Sequence, residues 1–194
     1  MNRFFSETNQ SKSFSKDESA FAVDYTNQTG SLRGVEILNE PPNDINYFQL
    51  ENRGKIEFWG VNFEKCSSLF EKKEENCECM FVAKQAKKLK MACLVELKYC
   101  LDKERNLIEN TIKAKSQLTK SLRTLLNKEI LNTHDYKIYL NISIPDSERI
   151  PFTSFLMTTP DTICSAKDEG YTLWGYNKLR ILNASFLVAE KERI

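Results

Sequence analysis

Four segments of the chain carry clear patterns of hydrophobic and polar residues. Glu78–Ala83 and Met91–Cys100 are short apolar runs joined by a basic connector, and Tyr136–Ile144 alternates, so each predicts a strand. Leu101–Ile130 repeats its apolar residues at about 3.6 positions without Gly or Pro, which predicts an amphipathic helix. The order strand, strand, helix, strand predicts a mixed α/β sheet, with a right-handed parallel crossover over Met91–Ile144.

Weaker patterns predict further strands on both sides of this central segment. Val35–Leu38 is a short apolar run that fits a strand. Tyr47–Leu50 and Lys55–Trp59 flank a Glu-Asn-Arg-Gly turn, and this spacing predicts a hairpin. Leu179–Val188 predicts a last strand, and the three prolines of residues 145–160 predict a long loop before it.

Length and composition indicate one globular domain. The chain has 194 residues, 41% hydrophobic and 28% charged, which suits a single packed core. Residues 1–20 are rich in Ser, Asn and Lys, and they predict a flexible N-terminal arm that leaves 21–194 as the domain. Because the net charge is only +1, a nucleic-acid partner would have to meet a local basic patch.

Hydropathy and cysteine spacing bear on the cellular compartment. No apolar run approaches the roughly 20 residues of a membrane helix, and the N-terminus lacks the apolar core of a secretory signal. The spacing of the six cysteines is not that of a small disulfide scaffold. These features predict a reduced, cytoplasmic protein without a membrane partner. The cysteines are Cys66, Cys77, Cys79, Cys93, Cys100 and Cys164.

Charged residues inside the two central strands are the main chemical anomaly of the sequence. Glu96 and Lys98 share one face of their predicted strand, because strand side chains alternate with period 2. Glu78 begins the preceding strand. A buried charge is costly unless it is paired or binds a metal, so these three residues are candidates for a functional site.

The acids, the lysine and the following helix form a recognisable pattern. Glu78, the triplet Glu96-Leu97-Lys98 and Gln117 on the helix resemble the motif of the restriction-endonuclease-like superfamily, often called PD-(D/E)XK. In that family an acid begins one strand of a hairpin, the next strand carries acid-x-Lys, and a helix crosses over. Glu64 matches the further upstream acid that is common there. The resemblance covers about residues 61–144.

The resemblance implies a restriction-endonuclease-like mixed sheet flanked by helices, and a metal-dependent nuclease. Glu78 and Glu96, with Glu64 as a third acid, would bind Mg²⁺ or Mn²⁺, and Lys98 and Gln117 would complete the catalytic group. Two converging carboxylates suit such metals, and a neighbouring lysine can orient water or neutralise developing charge. The implied substrate is DNA, in bacterial defence or repair, with a homodimer or a partner subunit.

Lysines near these residues suit a polyanionic partner. Lys84, Lys87 and Lys88 lie in the connector between the two central strands, and Lys113 and Lys120 share a helix face with Gln117. Contacts between lysines and phosphates supply affinity that depends on salt rather than on base sequence. These five lysines are therefore the predicted nucleic-acid-binding residues.

Two other interpretations remain open at the level of sequence. The first acid of the family is usually Asp, and Glu78 is one methylene longer, so a non-catalytic member that binds nucleic acid or assembles with a partner is the alternative. A zinc site of Cys66, Cys77 and Cys79 would make a structural interaction protein. Structural zinc sites usually include a second Cys or His pair, which this spacing lacks.

Overall fold

The computed structural model describes residues 4–7, 11–26, 34–66, 69–70, 75–99, 104–146 and 170–189. Within them, strands dominate, and one long helix lies between two of the strands. The elements are, in chain order, α1 (Phe4–Glu7), β1 (Ser11–Phe14), β2 (Ala20–Asp24), β3 (Val35–Leu38), β4 (Phe48–Glu51), β5 (Phe58–Asn62), β6 (Cys79–Ala83), β7 (Lys90–Leu97), α2 (Glu104–Asn127), β8 (Tyr136–Ser143), β9 (Tyr171–Gly175), β10 (Lys178–Asn183) and β11 (Phe186–Ala189).

The larger sheet has six strands in the order β1-β5-β6-β7-β8-β9. β1, β5, β6 and β7 pair antiparallel, whereas β7, β8 and β9 pair parallel. The predicted pair of central strands is confirmed, with Cys79 opposite Val95. The predicted parallel pairing across the helix is also confirmed, since Lys90 to Leu97 align with Tyr136 to Ser143.

A second, five-stranded sheet has the order β11-β10-β4-β2-β3. It is mixed as well, because β10 pairs parallel with β4 while its other neighbours are antiparallel. This sheet covers one face of the larger sheet, and α2 covers the other. The chain is thus a mixed α/β protein, and among the described residues α2 is the one long helix that flanks the larger sheet, because the second sheet covers the other face.

Alternation along β7 divides the core into two layers. Met91, Cys93, Val95 and Leu97 point into an inter-sheet core, where they meet buried residues of β2, β4 and β10. Ala92 and Leu94 point into a helix-side core with the buried face of α2. All of these strand residues are buried, because both faces of the larger sheet are covered. The next residue on the helix-side face is Glu96.

The buried stripe of α2 consists of small and branched residues. Ala114, Leu118, Leu122 and Leu125 are at most 1% exposed and follow the spacing of one helix face. Ile112, which the sequence pattern placed on the apolar stripe, is 61% exposed. It precedes Ala114 by two residues, which rotates it about 200° around the helix axis.

Three other predictions from the sequence were wrong, because pairing partners are set by tertiary contacts. The predicted hairpin does not form: β4 pairs with β2 and β10, whereas β5 pairs with β1 and β6. The last predicted strand is two strands, β10 and β11, joined by a short turn. Residues 11–14 are not a free arm, since they pair with β5 and bury Phe14 completely.

Some predictions fall outside the described residues. They concern Cys100, Cys164, the start of the predicted helix at 101–103, and residues 147–160 of the proline-containing loop. Within the described part, no helix is both long and apolar enough to cross a bilayer.

Gly60 lies in β5, in close contact with side chains of β1, β3 and β6. A Cβ atom there would lie 3.1 Å from Phe14, 3.2 Å from Ile37 and 3.3 Å from Phe81. We expect Gly60→Ala to lower the free energy of unfolding by about 1–3 kcal/mol through overpacking. Urea denaturation measures this, with exposed Lys16→Ala as a control that changes stability by less than about 0.5 kcal/mol. An unchanged midpoint for Gly60→Ala would show that the side chains around Gly60 shift without a cost in stability.

Candidate functional site

The two acids of the predicted motif lie opposite each other on neighbouring strands. The β6–β7 register pairs Cys79 with Val95, and continuing it by one residue places Glu78 opposite Glu96. Directly opposite residues of antiparallel strands have Cβ atoms about 4.5–5.5 Å apart. Both side chains belong to the helix-side face, because they continue the alternation of Met80 and Leu94. We call Glu78 and Glu96 the acid pair.

Glu96 is a buried charge with one ion-pair partner among the described residues. Its side chain is fully buried, and its Oε1 accepts a hydrogen bond and ion pair from Nζ of Lys98, whose side chain is 15% exposed. Its other oxygen, Oε2, is buried and has no hydrogen-bond partner within the part of the chain that the structure describes. The same strand alternation that the sequence predicted brings Lys98 back to the face of Glu96. Lys98 therefore stands between the buried carboxylate and solvent.

Burial raises the pKa of both acids. Burial raises the pKa of Glu96 to about 7, although the ammonium group of Lys98 acts in the opposite direction. Burial also raises the pKa of Glu78 well above its usual range, and the charge of Glu96 adds to this. Two carboxyl groups that disfavour their own ionisation in this way are stabilised as carboxylates by a bound cation.

Gln117 lies beside the segment that leads into Glu78. It is 8% exposed, and its Nε2 donates a 3.1 Å hydrogen bond to the backbone oxygen of Asn76. One turn further, Ser121 Oγ accepts a 2.8 Å bond from the backbone N–H of Cys77. The helix thereby fixes the start of β6. The Oε1 atom of Gln117 is buried and has no hydrogen-bond partner among the described residues.

Asp24 is an acid at this site that sequence reasoning missed. It ends β2 in the second sheet, is 4% exposed, and lies near enough for its charge to raise the pKa of both Glu78 and Glu96. Its backbone N–H donates a 3.3 Å bond to the hydroxyl oxygen of Tyr99, the residue after Lys98. The available signal was the run Ala-Phe-Ala-Val-Asp, in which an acid ends an apolar strand.

Glu64 contributes to this end of the molecule in a different way. Its side chain is exposed, and Oε2 accepts a 2.7 Å hydrogen bond from the backbone N–H of Val35 at the start of β3. A Cβ atom at Gly34 would lie 2.0 Å from this oxygen, so glycine permits the approach. The charge of Glu64 still raises the pKa of Glu78. Its observed contact is to the backbone of the second sheet.

The predicted nucleic-acid-binding lysines separate into two groups. Lys113 and Lys120 lie on one helix face and form ion pairs with Glu75, at 3.8 Å and 3.6 Å. Glu75 precedes Asn76, so these lysines lie near the segment that leads into Glu78. The connector residues Lys84, Lys87 and Lys88 lie between β6 and β7 at the opposite end of the strands. Lys90 lies six positions before Glu96 along β7, a distance of about 20 Å.

The described cysteines do not converge. Cys66 and Cys77 lie in the helix-side core, whereas Cys79 and Cys93 lie in the inter-sheet core. All four are buried free thiols, and burial raises the pKa of Cys66 to about 11. Cys77, which precedes β6, and Cys79 lie in opposite layers of the core. These three thiols therefore do not surround a common zinc ion.

Comparison with known proteins adds no name to this arrangement. No protein-family model, curated protein or solved structure matches the chain.

Proposed function

We propose that this protein is a metal-dependent nuclease that hydrolyses phosphodiester bonds of DNA at the acid pair. The proposal rests on two buried side-chain atoms that have no hydrogen-bond partner among the described residues. Among the described residues, the buried side-chain nitrogen or oxygen atoms without a partner are Glu96 Oε2 and Gln117 Oε1. Buried polar atoms are nearly always satisfied, and exceptions call for a specific explanation such as a functional ligand. Both residues belong to the predicted motif.

The composition of the site suits Mg²⁺ or Mn²⁺. Within the described ranges, no three His, Cys, Asp or Glu residues are placed to enclose a metal ion. Mg²⁺ does not require such a cage, because it commonly keeps several waters and binds through one or two carboxylates together with substrate phosphates. Glu78 and Glu96 would supply those carboxylates. When bound, the metal would lower the pKa of a water and stabilise charge on the phosphate.

Lys98 would act on the reacting phosphate from the protein side. Its ammonium group is held beside Glu96, at the boundary between the buried acid and solvent. From there it can donate to a phosphate oxygen or to the attacking water as negative charge develops, and such charge is strongly stabilised in a partly desolvated site. Glu96 keeps the lysine in place through Oε1 and leaves Oε2 for a further partner.

The order of elements also supports the proposal. Antiparallel β5, β6 and β7 are followed by α2 and parallel β8. This is the hairpin, crossover helix and parallel strand that the resemblance to the PD-(D/E)XK superfamily implies. Glu96 lies in β7 and Glu78 directly precedes β6, which is the order of acids that the resemblance implies. The second sheet, which covers the face of the larger sheet opposite α2, is not part of that pattern.

One observation favours a non-catalytic binding subunit as the second candidate function. Lys98 already neutralises Glu96 through a direct ion pair, so the site is partly satisfied without a metal. In that case the acid pair would serve to fix the end of the sheet, and nucleic acid would bind only through lysines. The two candidates differ in whether the acid pair binds a divalent cation.

Calorimetric titration with Mn²⁺ at pH 8, with and without a DNA oligonucleotide, separates these candidates. We expect the wild-type chain to bind Mn²⁺ and Glu96→Gln to lose binding, since the amide removes the anionic ligand. We expect Asp24→Asn to weaken binding by about tenfold, as removal of a supporting group near a metal does. Asp44→Asn, an exposed acid bonded to Tyr25, is the control and should bind as the wild type does. No binding by the wild type under either condition would favour the non-catalytic candidate.

A further inference from the structure

The end of the larger sheet remote from the acid pair carries a concentration of positive charge. Lys84, Lys87 and Lys88 come from the β6–β7 connector, Lys90 begins β7, and Lys137 lies at the start of β8. None of them forms an ion pair with a carboxylate of the described residues, whereas Lys113 and Lys120 on α2 share Glu75. Within the described part of the chain, these lysines therefore keep their positive charge without an ion-pair partner.

An exposed aromatic ring lies beside this charge. Phe186 begins β11 and is 49% exposed, and Nζ of Lys137 lies 3.7 Å from the centroid of its ring. On the helix-side face of the same end, Lys84 lies 4.3 Å from the ring centroid of Trp59. We call Lys84, Lys87, Lys88, Lys90, Lys137 and Phe186 the connector surface.

Contacts between the two sheets hold Phe186 in this position. The β10–β11 turn docks on the connector: Ser185 Oγ donates to the backbone oxygen of Leu89, and the backbone N–H of Met91 donates to Ala184 at 2.7 Å. The hydroxyl of Tyr139 donates a 3.3 Å bond to the backbone oxygen of Ser185. The turn that carries Phe186 is thus fixed against the connector that carries Lys87 and Lys88, although the two come from different sheets.

We propose that the connector surface binds single-stranded nucleic acid, with a base stacked on Phe186 and phosphates on the lysines. A partner for this surface must combine repeated negative charge with flat aromatic faces. Single strands expose both, whereas a duplex hides its base faces in the stack, and aromatic platforms among basic residues are the usual means of binding single strands. The proposal deepens the nuclease proposal, on which it rests for the identity of the polymer.

The geometry also gives the length of strand required. About 20 Å separates Lys90 from Glu96 along β7. A stacked strand rises about 3.4 Å per nucleotide, so a strand that runs from the connector surface to the acid pair needs at most about six nucleotides, and fewer when it is stretched.

Fluorescence anisotropy with a labelled oligo-dT of about 20 nucleotides, measured in EDTA, tests binding separately from cleavage. We expect Phe186→Ala to weaken binding by about 5- to 150-fold, because one base–aromatic stack is lost. Phe186→Trp should retain wild-type affinity. Leu182→Ala is the matched control, since Leu182 is also 49% exposed, lies on the same hairpin and has no aromatic ring.

The lysines are tested by the salt dependence of the same binding. Lys87→Gln combined with Lys88→Gln should reduce the slope of log affinity against log salt by about 1.4, as expected for two lost contacts to single-stranded phosphates. Unchanged affinity of Phe186→Ala for oligo-dT would overturn the proposal. Equal competition by polyglutamate, anionic vesicles or duplex DNA would also overturn it, because charge alone would then explain binding.

Failure of this proposal can be distinguished from failure of the nuclease proposal. Binding is measured in EDTA, where no metal-dependent cleavage occurs, and cleavage is measured separately with Mg²⁺. Binding that depends on Phe186 in a protein that never cleaves would leave the connector surface in place and reject the nuclease. Cleavage by a protein whose affinity for oligo-dT does not depend on Phe186 would reject the connector surface and leave the nuclease proposal in place.

Discussion

Glu96→Gln and Lys98→Ala are each expected to reduce Mg²⁺-dependent cleavage of DNA by at least about 100- to 1,000-fold, the loss typical of removing one preorganised charged group from an active site. Glutamine keeps the shape of Glu96 but cannot bind a cation as an anion. Alanine at position 98 removes the ammonium group that lies between the buried carboxylate and solvent. The two changes remove different contributions, so each alone should suffice.

Plasmid and oligonucleotide cleavage with Mg²⁺ or Mn²⁺ measures this, and excess EDTA should abolish the wild-type activity. Glu51→Gln and Lys178→Ala are matched controls, because Glu51 also forms ion pairs with Lys178 and Arg180, at 3.6 Å and 2.7 Å, but lies in the second sheet. These controls should cleave at the wild-type rate. Cleavage that persists in both Glu96→Gln and Lys98→Ala would show that any nuclease activity resides elsewhere.

The strands and the helix around the acid pair could be predicted because each has a recognisable spacing of hydrophobic residues. The apolar runs of β6 and β7 and the 3.6-residue spacing of α2 are local properties, and the crossover followed from their order. The acid-x-Lys spacing also placed Lys98 on the face of Glu96 without knowledge of the fold. Strand alternation alone was enough for that conclusion.

What could not be predicted depends on contacts between distant segments. Asn52 in the expected hairpin turn donates instead to the backbone oxygens of Lys16 and Ile56, at 3.0 Å and 2.8 Å, so the chain passes from one sheet to the other. Asp24 reaches the acid pair only because the second sheet packs there. Lys87 is a near neighbour of Glu96 in sequence but lies at the other end of the same strand pair.

The second large effect is expected in the pH dependence of stability. Glu96 has a pKa of about 7 in the folded chain against an ordinary value of 4.5, chiefly because of burial. The native state therefore binds more protons than the unfolded state between these pH values, so the free energy of unfolding falls as pH rises from about 4.5 to 7. The difference amounts to about 3 kcal/mol for Glu96, and the raised pKa of Glu78 acts in the same direction.

Urea unfolding of the wild type and Glu96→Gln across pH 4 to 9 measures this effect. Glu96→Gln should lose the part of the decline that comes from Glu96, about 3 kcal/mol, because its side chain does not ionise, whereas the part that comes from Glu78 remains. Mn²⁺ should raise the stability of the wild type at pH 8 by binding the carboxylates. Glu51 contributes little to the change in the free energy of unfolding above about pH 4.5. Although partial burial raises its pKa, ion pairs with Arg53 and Arg180 lower it to about 2, so its contribution disappears only as pH falls below about 4.5. Parallel pH profiles for wild type and Glu96→Gln would mean that Glu96 ionises in the folded chain without cost, and the argument for a cation at the acid pair would then lose its electrostatic basis.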